Sequence, residues 1–184
     1  MLENIFTADW FYEEKNIGTH IKSPVELLVG IKRTLGASFE VQQPNLYIQK
    51  VLGQVLLYPP NVAGWSGGKN WIDSSSLLFR MQLPAMMFLG KENNILAKKD
   101  GDVNTEYQSN KRSFKANVDW NAFSKPILVK KQNIVEELSQ YLLQVPVNEV
   151  FKQEIINKTP NEADPEVIKK ATLALMMLPE YQVC

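Results

Sequence analysis

A chain of 184 residues with a hydrophobic share of 45% is enough for one domain with a proper core. Lys and Arg together number 20, as do Asp and Glu, so the net charge is zero and the basic excess of a nucleic-acid binder is missing. A single cysteine (Cys184) and a single histidine (His20) exclude an internal disulfide, a cysteine-based metal site and a His pair for a metal or haem.

The first helix is expected near 2–14, with Leu2, Ile5, Phe6 and Trp10 as its apolar stripe. No capping residue precedes it, so it reads as a helix already under way in the C-terminal piece of a longer chain. No apolar run approaches a membrane span, and the N-terminus lacks the basic stretch and apolar core of a signal peptide. A polar turn through Asn16, Gly18 and His20 leads to Ser23-Pro24-Val25-Glu26, a capping box with proline at the first helical position. That predicts a helix over 24–35 buried through Val25, Leu28, Ile31 and Leu35, with Gly36 as its C-terminal cap. A third helix over 45–56 follows from Ile48, Val51, Leu52 and Val55, and Pro59-Pro60 stops it.

The segment from Leu57 to Asp73 spends two prolines, three glycines and two tryptophans between two helical segments. Such a loop must fold back on the protein, with its indoles as anchors. Asp73 is placed to cap a helix over 74–88, and Pro84 predicts a kink or break inside it. Residues 91–115 are polar and aperiodic, an insertion expected to be mobile, most of all over 95–112. The alternation from Ser113 to Trp120 allows a short strand, with Pro126-Ile127-Leu128-Val129 as a partner in a small β-hairpin. Helices over 133–143, 147–157 and 165–177 close the chain, the last opened by Asp164-Pro165 and stopped by Pro179. The fold class is mainly α, an irregular bundle of six or seven helices in a single domain spanning 1–184.

No catalytic constellation emerges. The run ending in Gly68-Lys69 fails as a phosphate loop: Ala63 and Asn70 occupy positions that need glycine and Ser or Thr, and the preceding segment is helical. His20 has no neighbouring nucleophile or acid motif, and Glu13-Glu14 and Glu136-Glu137 point apart on their helices. No catalytic residue, metal ligand or cofactor is assigned. Five of the six methionines, Met81, Met86, Met87, Met176 and Met177, read as core filler. Trp65 and Trp71 read as structural plugs. The functional alternative is a pocket shared with Tyr58, Asn61, Asn70 and Asp73, suited to a carbohydrate or peptide. Pro59, Pro60, Gly64, Gly67 and Gly68 shape the loop, and Arg80 is within reach to clamp it to the next helix.

The stretch Leu52-Gly53-Gln54, Tyr58-Pro59-Pro60-Asn61-Val62-Ala63-Gly64-Trp65-Ser66-Gly67-Gly68, Trp71-Ile72 and Leu77-Leu78-Phe79-Arg80 resembles the C-terminal signature of the bacterial domain of unknown function 1800 family. Ile21-Lys22-Ser23-Pro24-Val25-Glu26-Leu27 and Leu178-Pro179-Glu180-Tyr181-Gln182 are similar to its other segments, and 91–130 resembles it least. Ser66 stands where the family often has proline, and Pro84 interrupts a helix that relatives more often continue. The resemblance implies a longer protein with an N-terminal helical region, export to the cell envelope, and a genomic neighbour that is also exported. It implies no activity. The reading is a binding or assembly module that packs on its own N-terminal region, an exported neighbour protein or a glycan. Part of an enzyme completed by the absent region is the alternative.

Overall fold

In the computed structural model, which describes residues 1–90, 115–129, 133–159 and 164–184, the start signal at Ser23 is used as written. Helix α1 spans Leu2–Phe6, and α2 spans Pro24–Leu35. Ser23 Oγ accepts from Glu26 N, while the Glu26 carboxylate accepts from Ser23 N at 2.7 Å, so two orphan amides are satisfied at once. Helix α2 ends in Gly36, left-handed at φ 60°. Helix α3 covers Gln43–Leu52 and α4 covers Ser74–Leu89. After them come α5 (Trp120–Val129), α6 (Ile134–Leu142), α7 (Glu149–Lys158) and α8 (Pro165–Met176). Among the described residues there is no strand. Two isolated antiparallel bridges, Ile21 with Val183 and Ser38 with Asn117, are the only sheet-like pairings there.

Helix α4 is the axis of the bundle. Phe79, Arg80, Leu83, Pro84, Ala85, Met86, Met87 and Phe88 are all buried, so the stretch 83–88 is covered on every side, while Leu78 on the first half is about half exposed. Helices α3 and α8 pack on it; α2 packs on α3, and α5 and α6 pack on α8. The shared core takes Leu27, Ile31, Ile48, Leu52, Leu138, Ile168 and Leu175 from these elements. Of those five methionines, Met86, Met87 and Met176 are buried and Met81 and Met177 half-buried, as core filler should be.

Four expectations give way. Helix α3 does not reach residue 56 or end at Pro59-Pro60, because Gly53, left-handed at φ 83°, stops it after Leu52. The first helix does not run to residue 14: it stops at Phe6 and continues as short 3-10 turns over Asp9–Tyr12 and Glu14–Asn16. Consecutive Trp10, Phe11 and Tyr12 would splay around an α-helix, whereas here Phe11 meets Trp10 and Tyr12 edge-to-face at 6.0 and 5.2 Å. The short strand and hairpin that the sequence allows over 113–130 are not formed among the described residues 115–129, where Trp120–Val129 is a helix with Pro126 inside it. Trp120, Phe123 and Ile127 fall on one face and pack on the core, and this tertiary packing overrides the β-branched run. Pro84 does not break α4 either. The missing amide frees only the carbonyl of Arg80, and burial on all sides holds the helix together through that point. The polar insertion lies outside the described residues over 91–114.

Candidate functional site

The signature loop begins where Gly53, at φ 83°, ends α3. Two glutamines then tie it down. Gln54 Oε1 accepts from Val25 N at 2.9 Å, covering an orphan donor in the first turn of α2, and Gln49 Oε1 accepts from Leu56 N at 2.8 Å. Beyond them the chain turns sharply. Leu57 adopts φ 66°, the one non-glycine residue with positive φ among those described, and its side chain is 89% exposed.

The residues named from sequence separate into two groups. Tyr58, Pro59, Pro60 and Asn61 are exposed, and Asn61 Oδ1 accepts from Ala63 N at 2.8 Å in an Asx turn. Gly64 at φ 85° and Gly68 at φ 60° supply the left-handed turns, while Gly67 at φ −90° precedes a 3-10 turn over Gly68–Trp71. Asn70 is exposed on that turn, Trp71 is buried at 9% exposure, and Trp65 is half-buried. Asp73 then caps α4: its Oδ1 accepts from Ser75 N at 2.9 Å, Ser76 N at 2.8 Å and Ser75 Oγ at 2.7 Å. Ser76 Oγ reaches back to the Trp71 carbonyl at 3.1 Å, joining the anchor to the cap. Asn61, Trp71 and Asp73 are therefore engaged in shaping the backbone. The exposed apolar character of the loop sits instead at Leu56, Leu57, Tyr58 and Val62.

A second apolar surface lies over 1–17, where no residue of α1 or of the two 3-10 turns is buried. Leu2, Phe6, Trp10, Tyr12 and Ile17 are all more than half exposed. The segment docks at its far end, where Gly18 at φ 72° meets Val145 and Val183.

Arg80 is placed differently from the sequence expectation. Its Nη1 donates to the Lys22 carbonyl at 2.8 Å, so it clamps α4 to the entry of α2 rather than to the loop. Lys22 is itself paired with the chain terminus: its amide donates to the Gln182 carbonyl at 2.9 Å, and its Nζ to the Tyr181 carbonyl at 2.7 Å, above the Tyr181 ring. A cavity of about 220 Å³ lies elsewhere, beside Phe88, Trp120, Lys115 and Lys169, and touches none of these residues. Among the described residues no group of three or more His, Cys, Asp or Glu is placed to hold a metal.

The spacing of loop glycines, tryptophans, Asp73 and Arg80 is thus a structural signature, and it matches a sequence family. The profile of a family described as protein of unknown function (DUF1800) covers residues 1–183. The chain belongs to that family. No curated protein and no solved structure matches it. In this DUF1800 chain sequence reasoning passed over Gln49 altogether and assigned no role to Leu57 or Gln182. Gln54 and Gln182 were visible beforehand only as parts of the family segments, and Leu57 only as the first residue of the loop. Among the described residues, no helix is long and apolar enough to cross a membrane.

Proposed function

We propose that this chain is an assembly module, whose exposed apolar surface over 1–17 and 56–62 packs on another polypeptide. That polypeptide is the N-terminal region of its own protein or an exported neighbour. One observation carries the reading: Leu57 is held at φ 66° with 89% of its surface in water. A left-handed leucine is strained, and an exposed one recovers none of that cost through burial. A partner that covers it offsets both. Leu56, Tyr58 and Val62 beside it, and Trp10 and Phe6 on the first segment, extend the same apolar character. Such a surface suits a protein better than a glycan, because it offers few hydrogen-bonding side chains. Export to the envelope, implied by the family resemblance, belongs to the same proposal.

The test is calorimetric titration of the chain, and of a Leu57→Asn, Val62→Ser variant, with the product of the adjacent reading frame. A second titration uses any polypeptide that the same gene encodes upstream of Met1. Wild type should bind one of them and the variant at least tenfold more weakly, with no loss of melting temperature. Binding that is unchanged in the variant, or absent in both titrations, would overturn the reading.

A further inference from the structure

Buried polar atoms without hydrogen-bond partners are rare in folded proteins, because each has given up its water for nothing. Two side chains with such atoms meet at Lys22. Arg80, with no exposed surface, uses only Nη1, on the Lys22 carbonyl at 2.8 Å; its Nε and Nη2 have no partner. Gln182, 3% exposed, hands its backbone carbonyl to the Lys22 amide, while its side-chain Oε1 and Nε2 have no partner. The atoms left over on Arg80 form a pattern. Nε–H and Nη2–H lie along one edge of the planar guanidinium, the edge that matches the two oxygens of a carboxylate. Desolvation lowers the Arg80 pKa to about 10. A carboxylate on that edge would favour the charged form and offset the cost.

We propose that the Nε/Nη2 edge of Arg80 is a carboxylate-binding site, gated by the C-terminal strap Pro179–Cys184. The strap is the element bonded to the same residue: His20 and Cys184 exchange two backbone hydrogen bonds of 3.0 and 2.8 Å, Lys22 holds Gln182 and Tyr181, and the Tyr181 ring is buried in the core. Arg80 and the strap meet through Lys22, whose carbonyl accepts from the guanidinium and whose amide donates to Gln182, so displacing the strap would open that junction. The strap carries two carboxylates of its own: that of Glu180, whose Oε1 accepts from Asn148 N at 3.5 Å and whose Oε2 is buried without a partner, and the α-carboxylate of Cys184, which acts on Lys22. The carboxylate is a free small acid or an acidic side chain of another segment of polypeptide, and the chemistry is the same. This proposal is independent of the apolar assembly surface.

Acetate is the probe, with chloride at matched pH and ionic strength as the reference. In chloride, Arg80→Met loses the Lys22 clamp as well as the two orphan donors, so its own Tm in chloride is the reference for its acetate response. In acetate at about ten times its Kd, wild type should melt about 3–5 °C higher and Arg80→Met should show no such rise. The Nε–H NMR signal of Arg80, one of three arginines in the chain, should shift along the same titration, a readout that needs no variant. The chain as its gene encodes it separates the sources. An acetate-dependent shift there identifies a free acid, and a signal already shifted and insensitive to acetate identifies an acidic side chain. An Arg80 signal that never moves in either protein would overturn the proposal. So would a Glu180→Gln variant that itself moves the signal and abolishes the acetate response, because the edge would then be served from within.

Discussion

Replacing Leu57 by asparagine should make the protein more stable. Leu57 sits at φ 66°, where a branched side chain costs roughly 1–2 kcal/mol relative to the right-handed region and asparagine costs much less. Removing leucine forfeits little, since with 89% exposure only about a tenth of a burial worth 1.5–3 kcal/mol is present, a few tenths of a kcal/mol. The net gain is about 1 kcal/mol, which in a chain of this size raises Tm by about 2–4 °C. Differential scanning calorimetry reads it directly, with Leu57→Ala as the control that removes the side chain but keeps the strain. Leu57→Ala should leave Tm within about 1 °C of wild type. A fall of several degrees in Leu57→Asn would refute the reasoning, because it would mean that the leucine is buried in solution and is not a surface group awaiting a partner.

Other perturbations separate anchors from surface. Trp71→Ala deletes a buried indole and should cost about 3–5 kcal/mol, or about 6–20 °C in Tm, whereas Val62→Ser at a fully exposed position should cost almost nothing by chemical denaturation. Asp73→Ala removes the acceptor of two helix amides and should cost about 1–2 kcal/mol, with Asp73→Asn restoring most of it in the same urea titration. Gly18→Ala puts a Cβ 2.2 Å from Val145 Cγ1 at φ 72°, so it should be destabilising and partly rescued by Val145→Ala, a double-mutant cycle readable by thermal melts. The Glu26 carboxyl is held below its ordinary range, first by the Ser23 backbone amide and then by the His20 ring. Its contribution is therefore fully present above the unfolded pKa and lost as pH falls through the lower folded value. Glu26→Gln should flatten Tm against pH in the acid range, an effect kept small by the exposure of the side chain.

Helix starts were legible because caps are local. Ser23-Pro24-Val25-Glu26, Asp73 and Asp164-Pro165 declare themselves within four residues, and each side chain makes the bond its type suggests. The loop glycines were legible for the same reason: only glycine takes φ 85° and 60° cheaply at positions 64 and 68. Helix α5 was not, because Pro126 and the Ile-Leu-Val run argue for extended chain. Yet the spacing of Trp120, Phe123 and Ile127 already held a helical face, and contacts to α6 and α8 decide between the two. Pro84 misled in the same way, since nothing local says that the turns around it, 83–88, are enclosed on every side. The candidate site divides likewise. Trp71 and Asp73 could be placed from sequence, but the strain at Leu57 depends on how Gln49 and Gln54 pin the chain around it. The meeting of residues 22, 80 and 182 spans nearly the whole chain, and no window of sequence contains it.

The assembly proposal is tested most directly by amide hydrogen exchange, read by mass spectrometry over residues 1–17 and 55–63. The chain should be compared alone and in the protein as its gene encodes it, with and without the product of the adjacent reading frame. Protection of both segments should rise at least tenfold in one of those settings, while the caps at Ser23 and Asp73 keep the exchange they show in the isolated chain. Identical exchange of both segments in every setting would contradict the claim that this surface exists to be covered.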